Sequence, residues 1–545
     1  MPACYRWILL AASFLQLCTA HAEKPRLVLL IVVDHLRGDT FLNQYDRYGE
    51  GGFRYLLDHG AVYENAEYRH ATTHTSCGHA TLVTGANPRE HGIIANEWYD
   101  AETATLVYCA GDPAASDTGD PPGKGSMSPR NLLLDTWSDV LMAAQGPETR
   151  VFALSMKDRS AALISGHRGK SFWFNSRTGG FKSSTYYYEE LPAWAAAWNA
   201  KKLADQWRDA EWTLLHDAST YVHGKEDDRP HEQSRNALGR TFPHRMRNVP
   251  PQFYYGALAM TPFGDLLTLD FARALIEQEA LGADDTTDAL LLSLTPTDYI
   301  GHTFGANSLE YEDNLLRLDQ TLADFLKFVD QRVGLKNTTI VLSADHGGGD
   351  IPERVWAERE QAGQLPPANV RDHVNAALRE RLGATQDLVA VVEKPFFYLD
   401  RAACAAASIS LDAAAEALAA VLKTRPEVET AITRREFLAD DLPPSPLGDK
   451  LRRSFHPDRG GEVYVVEKEG WRLFILEEKN GGTHGTPWRE DSHVPLVFAG
   501  PGIGAQRISR PVGPEDIAPT LAALLRIPAP TGATGTALAE VTGPR

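Results

Sequence analysis

Residues Leu27–Asp34 read LVLLIVVD. Every side chain from Leu27 to Val33 is apolar, and the run follows Pro25. With no polar alternation, such a run reads as a strand buried on both faces, the pattern of a parallel strand covered by helices. The residue closing it is a carboxylate, Asp34. Val151–Leu154, Leu290–Leu294, Thr339–Ser343 and Pro495–Ala499 have the same character and read as further buried parallel strands. Helical patterns lie between some of them, at Leu266–Glu279 and Leu309–Val333. Strands alternating with helices predict an α/β fold, a doubly wound, mostly parallel sheet flanked by helices.

Open sheets of this kind bind ligands outside the carboxyl ends of their strands. The chemistry-bearing residues fall there: Asp34 after the first run, Lys157 and Arg159 after Leu154, Asp298 and His302 after Leu294, Asp345 and His346 after Ser343. Two regions break the alternation, residues 169–260, rich in Trp and Tyr, and residues 347–479, with a helix at Leu411–Lys423 and strand-like runs at Leu388–Val392, Glu462–Val466 and Arg472–Leu476. Both read as insertions forming a cap over the crevice.

The N-terminus reads differently. Arg6 precedes the apolar run Ile8–Cys18 and then Ala20-His21-Ala22, the pattern of a secretory signal over residues 1–22 that leaves residues 23–545 as the mature catalytic domain. The run is too short for a stable membrane anchor, so the expected location is periplasmic or secreted. The formal charge of −18 over 545 residues argues against a protein that coats nucleic acid, while leaving room for a local cationic pocket. Outside the signal, Cys77, Cys109 and Cys404 remain. No CxxC spacing occurs, so a thiolate zinc site is not expected.

Three segments carry metal-ligand side chains: TDYIGH at 297–302, ADHGG at 344–348 and GGTHG at 481–485. Asp298 and His302 share a face if their turn is helical. Adjacent Asp345 and His346 need an irregular turn, which the glycines permit. With Asp34 and His484 they make a mixed N/O set that suits zinc and exceeds the ligand number of one catalytic zinc, so two ions are expected. A nucleophile is expected in HATTHTSCGHATLVTG (70–85), where Thr75 and Ser76 precede a helical start. A hydroxyl there meets the backbone N–H groups of a helix N-terminus. The competing reading makes Thr75 an N-cap.

Taken in order, Asp34, THTSCGHATLVTG, HGIIANEWYD, KDR, TDYIGH, ADHGG and GGTHG resemble the alkaline phosphatase superfamily, most of all the PafA-type, phosphate-irrepressible alkaline phosphatases. The resemblance covers essentially the whole mature chain. It implies two Zn2+ ions, one held by Asp298, His302 and His484, the other by Asp34, Asp345 and His346 with Thr75 on it as nucleophile. It further implies that Asn96, Lys157 and Arg159 contact phosphoryl oxygens. Lys157 and Arg159 favour the dianionic phosphoryl group of a small-molecule monoester, because a diester places a second substituent where an extra cation would sit. A phosphodiesterase or nucleotide pyrophosphatase of the same superfamily is the alternative. A sulfatase is excluded, since Cys77 is followed by Gly78-His79-Ala80-Thr81 where Pro and Arg are required. His35, His74, His79 and His91 match no ligand position and read as supporting hydrogen-bonding groups. Trp98 and Tyr99 suit either a leaving-group pocket or the core.

Overall fold

The computed structural model describes residues 24–118, 126–224, 226–229, 231–232, 237–351, 370–471 and 481–543. The signal expected at residues 1–22 and the strand expected at Arg472–Leu476 lie outside the described residues. Leu27–Val33 is the spine of a 10-stranded sheet. It pairs in parallel with Asp288–Leu294 on one side and Thr338–Ser343 on the other. Beyond Asp288–Leu294, Val151–Ser155 and then Lys170–Asn175 continue in parallel, and Gly180–Ser184 and Asp117–Thr118 close that edge antiparallel. On the other side follow His493–Ala499, Ala61–Glu67 and Gln506–Ile508.

The pleat explains the burial. Leu27, Leu29, Ile31 and Val33 point to one face, packed with Phe271, Leu315, Leu322 and Phe325 from the helices Phe263–Gln278 and Leu309–Arg332. Val28, Leu30 and Val32 point to the other, packed with Leu82, Trp137, Leu141 and Leu521 from the helices Thr75–Thr84, Trp137–Gln145 and Ile517–Leu525. Each fully buried Leu, Ile or Val contributes about 1.5–3 kcal/mol relative to an exposed one.

Two expectations are corrected. Pro495–Ala499 belongs to a strand, His493–Ala499, that runs antiparallel to Thr338–Ser343 and not parallel to it. An all-buried run reports that both faces are covered and carries no information on direction. Direction follows from the connection: Gly347 N donates to Asp491 O at 2.8 Å, so the chain enters the strand at the end where Thr338–Ser343 leaves. The second correction concerns residues 169–260. Lys170–Asn175 and Gly180–Ser184 are strands of the central sheet, and Trp198 packs edge-on to Phe271 beneath it, so this stretch widens the core instead of forming only a lid. Residues 389–467 hold a second, four-stranded antiparallel sheet ordered Val389–Glu393, Phe396–Leu399, Val463–Glu467, Val428–Thr433, one face of which packs with Ala71, Ala80 and Ala162. The helices Val370–Leu382 and Leu411–Leu422 cover it. Among the described residues no helix is long and apolar enough to cross a membrane.

Candidate active site

The strand register brings the polar residues to one edge. Val33 lies opposite Leu294 and Val32 opposite Ser343, so Asp34, the start of helix Pro296–Phe304 and Asp345 leave the sheet side by side. Pro296, which has no N–H to lose, opens that helix, and one turn on it stacks Asp298 under His302, with Nε2 3.3 Å from Oδ1. His484 comes from its glycine loop to within 3.7 Å of the same carboxylate oxygen. Asp34, Asp345 and His346 form the second group, with His346 Nε2 3.4 Å from Asp34 Oδ1 and 3.3 Å from Asp345 Oδ2. The six expected donors thus gather into the two expected groups. His35 joins the first of them, its Nδ1 3.1 Å from Asp298 Oδ1.

The histidine tautomers are fixed from behind. Nδ1 of His302 faces Gly482 O at 3.0 Å, Nδ1 of His346 faces Gly347 O at 2.7 Å and Nδ1 of His484 faces Thr73 O at 2.8 Å. A neutral ring carries one proton, and a carbonyl takes it, so each Nε2 presents a lone pair toward carboxylate oxygens. Lone pairs facing lone pairs repel unless a cation sits between them. Asp34 Oδ1 and Asp345 Oδ2 are buried and accept no hydrogen bond. This donor set fits divalent metal, with backbone carbonyls orienting the ligands.

Electrostatics agree. Burial holds the His346 pKa down to about 4, and burial with the nearby His346 and His302 keeps His484 well below the usual histidine range. Burial and the neighbouring Asp345 push Asp34 well up. Asp298 stays well below the usual range although burial opposes its charge, because Lys157 and His302 favour the carboxylate.

Thr75 is the first residue of helix Thr75–Thr84. His74 occupies the N-cap position, which removes the capping reading of Thr75. Its Oγ1 lies 3.4 Å from His346 Nε2 and 3.4 Å from Arg159 Nη2. Asn96 Oδ1 accepts the N–H of Ser76 at 3.2 Å, which places the Asn96 amide at the same helix end and fixes its oxygen inward. Lys157 is buried, and its ammonium bridges Asp34 Oδ2, at 2.8 Å, and Asp298 Oδ2. In the structure it therefore ties the two groups together. Burial disfavours its charge, but Asp298 and Asp34 outweigh that and raise its pKa.

The supporting residues also take their places. His79 Nδ1 bonds to Thr75 O at 2.8 Å, with Asp345 Oδ2 nearby at 3.2 Å, and its Nε2 lies 2.9 Å from Ser293 Oγ. His91 bonds to Thr81 Oγ1 in the interior. His74 is buried, its pKa held down by burial. Trp98 is core, sandwiched under the Arg459 guanidinium at 4.7 Å. Cys77, Cys109 and Cys404 are buried free thiols. Sequence reasoning missed Tyr108, whose hydroxyl stands beside Arg159. A tyrosine in a short hairpin gives no signal in the sequence.

Residues 28–487 match the family model of type I phosphodiesterases and nucleotide pyrophosphatases. The chain is 35% identical over 531 residues, 96% of each protein, to the alkaline phosphatase PafA of Elizabethkingia meningoseptica. The chain belongs to the PafA-type alkaline phosphatases. It superimposes on the crystal structure of wild-type PafA with a TM-score of 0.88 at 35% identity, over 95% of this chain and 99% of that one. A protein of Myroides odoratus named a calcium-transporting ATPase is 34% identical over 97% of this chain and 96% of its own length. The PafA-type assignment makes this chain a hydrolase of the alkaline phosphatase superfamily.

Proposed function

We propose that this PafA-type chain is an exported phosphatase that hydrolyses small-molecule phosphate monoesters through a phosphothreonine at Thr75, with two Zn2+ held by the two groups of donors. The observation that carries the reading is the position of Thr75 Oγ1, at a helix N-terminus and within 3.4 Å of both His346 Nε2 and Arg159 Nη2. Zinc bound there would supply Lewis acidity, lowering the pKa of a hydroxyl and neutralising a leaving oxygen.

The chain's own residues supply the rest. The Thr75 hydroxyl gives its proton to solvent, its oxygen attacks phosphorus in line, the bond to the leaving oxygen breaks, and that oxygen takes a proton from solvent and departs as an alcohol. Water then displaces Thr75 and releases inorganic phosphate. Helix N-terminal N–H groups, Asn96 and Arg159 orient and stabilise the phosphoryl oxygens. Lys157 adds positive charge beside Asp34 and Asp298, where a dianionic monoester gains more than a monoanionic diester. Residues 1–22 carry the export signal, and residues 347–479 serve as a cap over the crevice. Lys394 supports the cap reading, since its Nζ donates to His484 O at 3.1 Å.

The diesterase reading, favoured by the match to the type I phosphodiesterase and nucleotide pyrophosphatase family model, differs in substrate class. Transport, which the Myroides relative's name describes, has no counterpart in the groups gathered here. The test is to quench the zinc-loaded mature protein during turnover of an aryl phosphate and map the phosphorylated residue. The expected product is a peptide phosphorylated at Thr75. Phosphate on Ser76, or turnover of diesters alone, contradicts the proposal.

A further inference from the structure

Asn96 and Tyr108 stand at the same open end of one hairpin. Its strands are Glu97–Asp100 and Thr105–Tyr108, with Glu97 opposite Tyr108. Cys109 N donates to Asn96 O at 2.9 Å, which closes the base. The hairpin is clamped from outside by the four-stranded unit: Arg459 lies over Trp98, and Tyr398 meets Tyr99 edge-on at 5.6 Å.

The Tyr108 hydroxyl donates to Asp158 Oδ1 at 2.6 Å. With its proton committed there, its oxygen turns a lone pair to Arg159, whose Nη1 donates at 3.5 Å. Nη2 of the same guanidinium lies beside Thr75 Oγ1. Arg159 Nε is buried and makes no hydrogen bond. The guanidinium thus reaches the Asp158 carboxylate through a phenol. A direct arginine–carboxylate fork would engage two N–H groups at once, and those are the groups an anion needs. The phenol holds the long side chain by one weak contact at Nη1 and leaves Nη2 beside Thr75 Oγ1. Burial keeps the Tyr108 pKa well up, so the hydroxyl retains the proton this arrangement uses.

We infer that Tyr108 is a positioning residue that aims Arg159 at the phosphoryl group, so that one hairpin sets two oxygen contacts, directly through Asn96 and indirectly through Tyr108. The inference rests on the reading that Arg159 touches substrate. The test is a double-mutant cycle in the zinc-loaded enzyme, with Tyr108→Phe, Arg159→Ala and both together. Each variant is measured for kcat/KM on an aryl phosphate, for competitive inhibition by inorganic phosphate and for zinc content. Tyr108→Phe should lower kcat/KM and weaken phosphate inhibition, each about 5- to 10-fold, with zinc content unchanged. In the Arg159→Ala background the same change should matter less than about twofold. Equal losses in both backgrounds would show that the hydroxyl merely supports the fold, and no loss in the wild-type background would overturn the inference outright. If Arg159→Ala alone leaves kcat/KM and phosphate inhibition intact, the substrate contact itself fails, a separate result that removes the inference with it.

Discussion

Thr75→Ala removes a hydroxyl and a methyl, and only the hydroxyl faces His346 and Arg159. Thr75→Ala is therefore expected to keep the fold and the metals while losing nearly all turnover, and Thr75→Ser to retain part of it. Circular dichroism, zinc content and kcat on one preparation check this; a Thr75→Ala protein with substantial turnover contradicts it. The two cations near Thr75 should behave differently. Arg159 touches Thr75 and Tyr108, so Arg159→Ala should lower monoester kcat/KM about 30- to 1000-fold, a loss of about 2–4 kcal/mol, without loss of zinc. Lys157 bonds to Asp34 and Asp298, so Lys157→Ala removes the charge that joins two buried carboxylates and should change zinc affinity as well as rate. Zinc titration of the two variants separates these roles. An unchanged zinc affinity in Lys157→Ala would mean that its carboxylate contacts do not shape the ligand groups. These donors were legible in the sequence because each sits directly after a buried strand or in a glycine loop. His35, read from the sequence as a supporting hydrogen-bonding group, bonds to Asp298 Oδ1 after turning into a left-handed conformation, φ 71°. Tyr108 was not legible, since it arrives by reaching across from a hairpin and leaves no pattern in residue order.

At the scale of elements, the helix Thr75–Thr84 must pass very close to the Asp345 loop. A Cβ on Gly78 would stand 1.9 Å from the Asp345 carbonyl oxygen. In an exposed helix, Gly→Ala gains up to about 1 kcal/mol. Here Gly78→Ala should instead destabilise by about 1–3 kcal/mol, as overpacking does, and should weaken zinc binding by moving Asp345. Chemical denaturation of the metal-free and zinc-loaded forms checks it. A variant as stable as the parent, with zinc affinity intact, would show that helix and loop can separate. The alternation of strands and helices announced the sheet and its ligand edge. It did not announce the antiparallel run of His493–Ala499, because direction is set by the short path through residues 486–492 and not by composition. Nor did aromatic content distinguish the sheet strands Lys170–Asn175 and Gly180–Ser184 from a cap, since both settings bury Trp and Phe.

Over the whole molecule, burial lowers the pKa of several histidines outside the two groups of donors. Burial lowers His70 to about 3 and His244 to about 4, and carries His91 well below the ordinary value. In the unfolded chain each takes a proton below about pH 6.5. For these rings the unfolded state then binds more protons than the folded one, so the stability they contribute is full above pH 6.5 and falls as pH drops toward about 4. Buried Glu232 and Glu515, raised to about 9 and about 7, act in the opposite direction over the same range, so the check is a comparison: between pH 7 and pH 5 the thermal midpoint of the metal-free protein should fall less, or rise more, in His244→Gln than in the parent; an identical change in both would mean that this ring gains its proton inside the fold. The measurement that tests the account most directly is the ratio of kcat/KM for an aryl phosphate to that for the matching aryl phosphodiester, in the zinc-loaded mature enzyme. The account predicts a ratio well above one, shrinking when Arg159 is replaced by alanine. A ratio below one in the unaltered enzyme would contradict it.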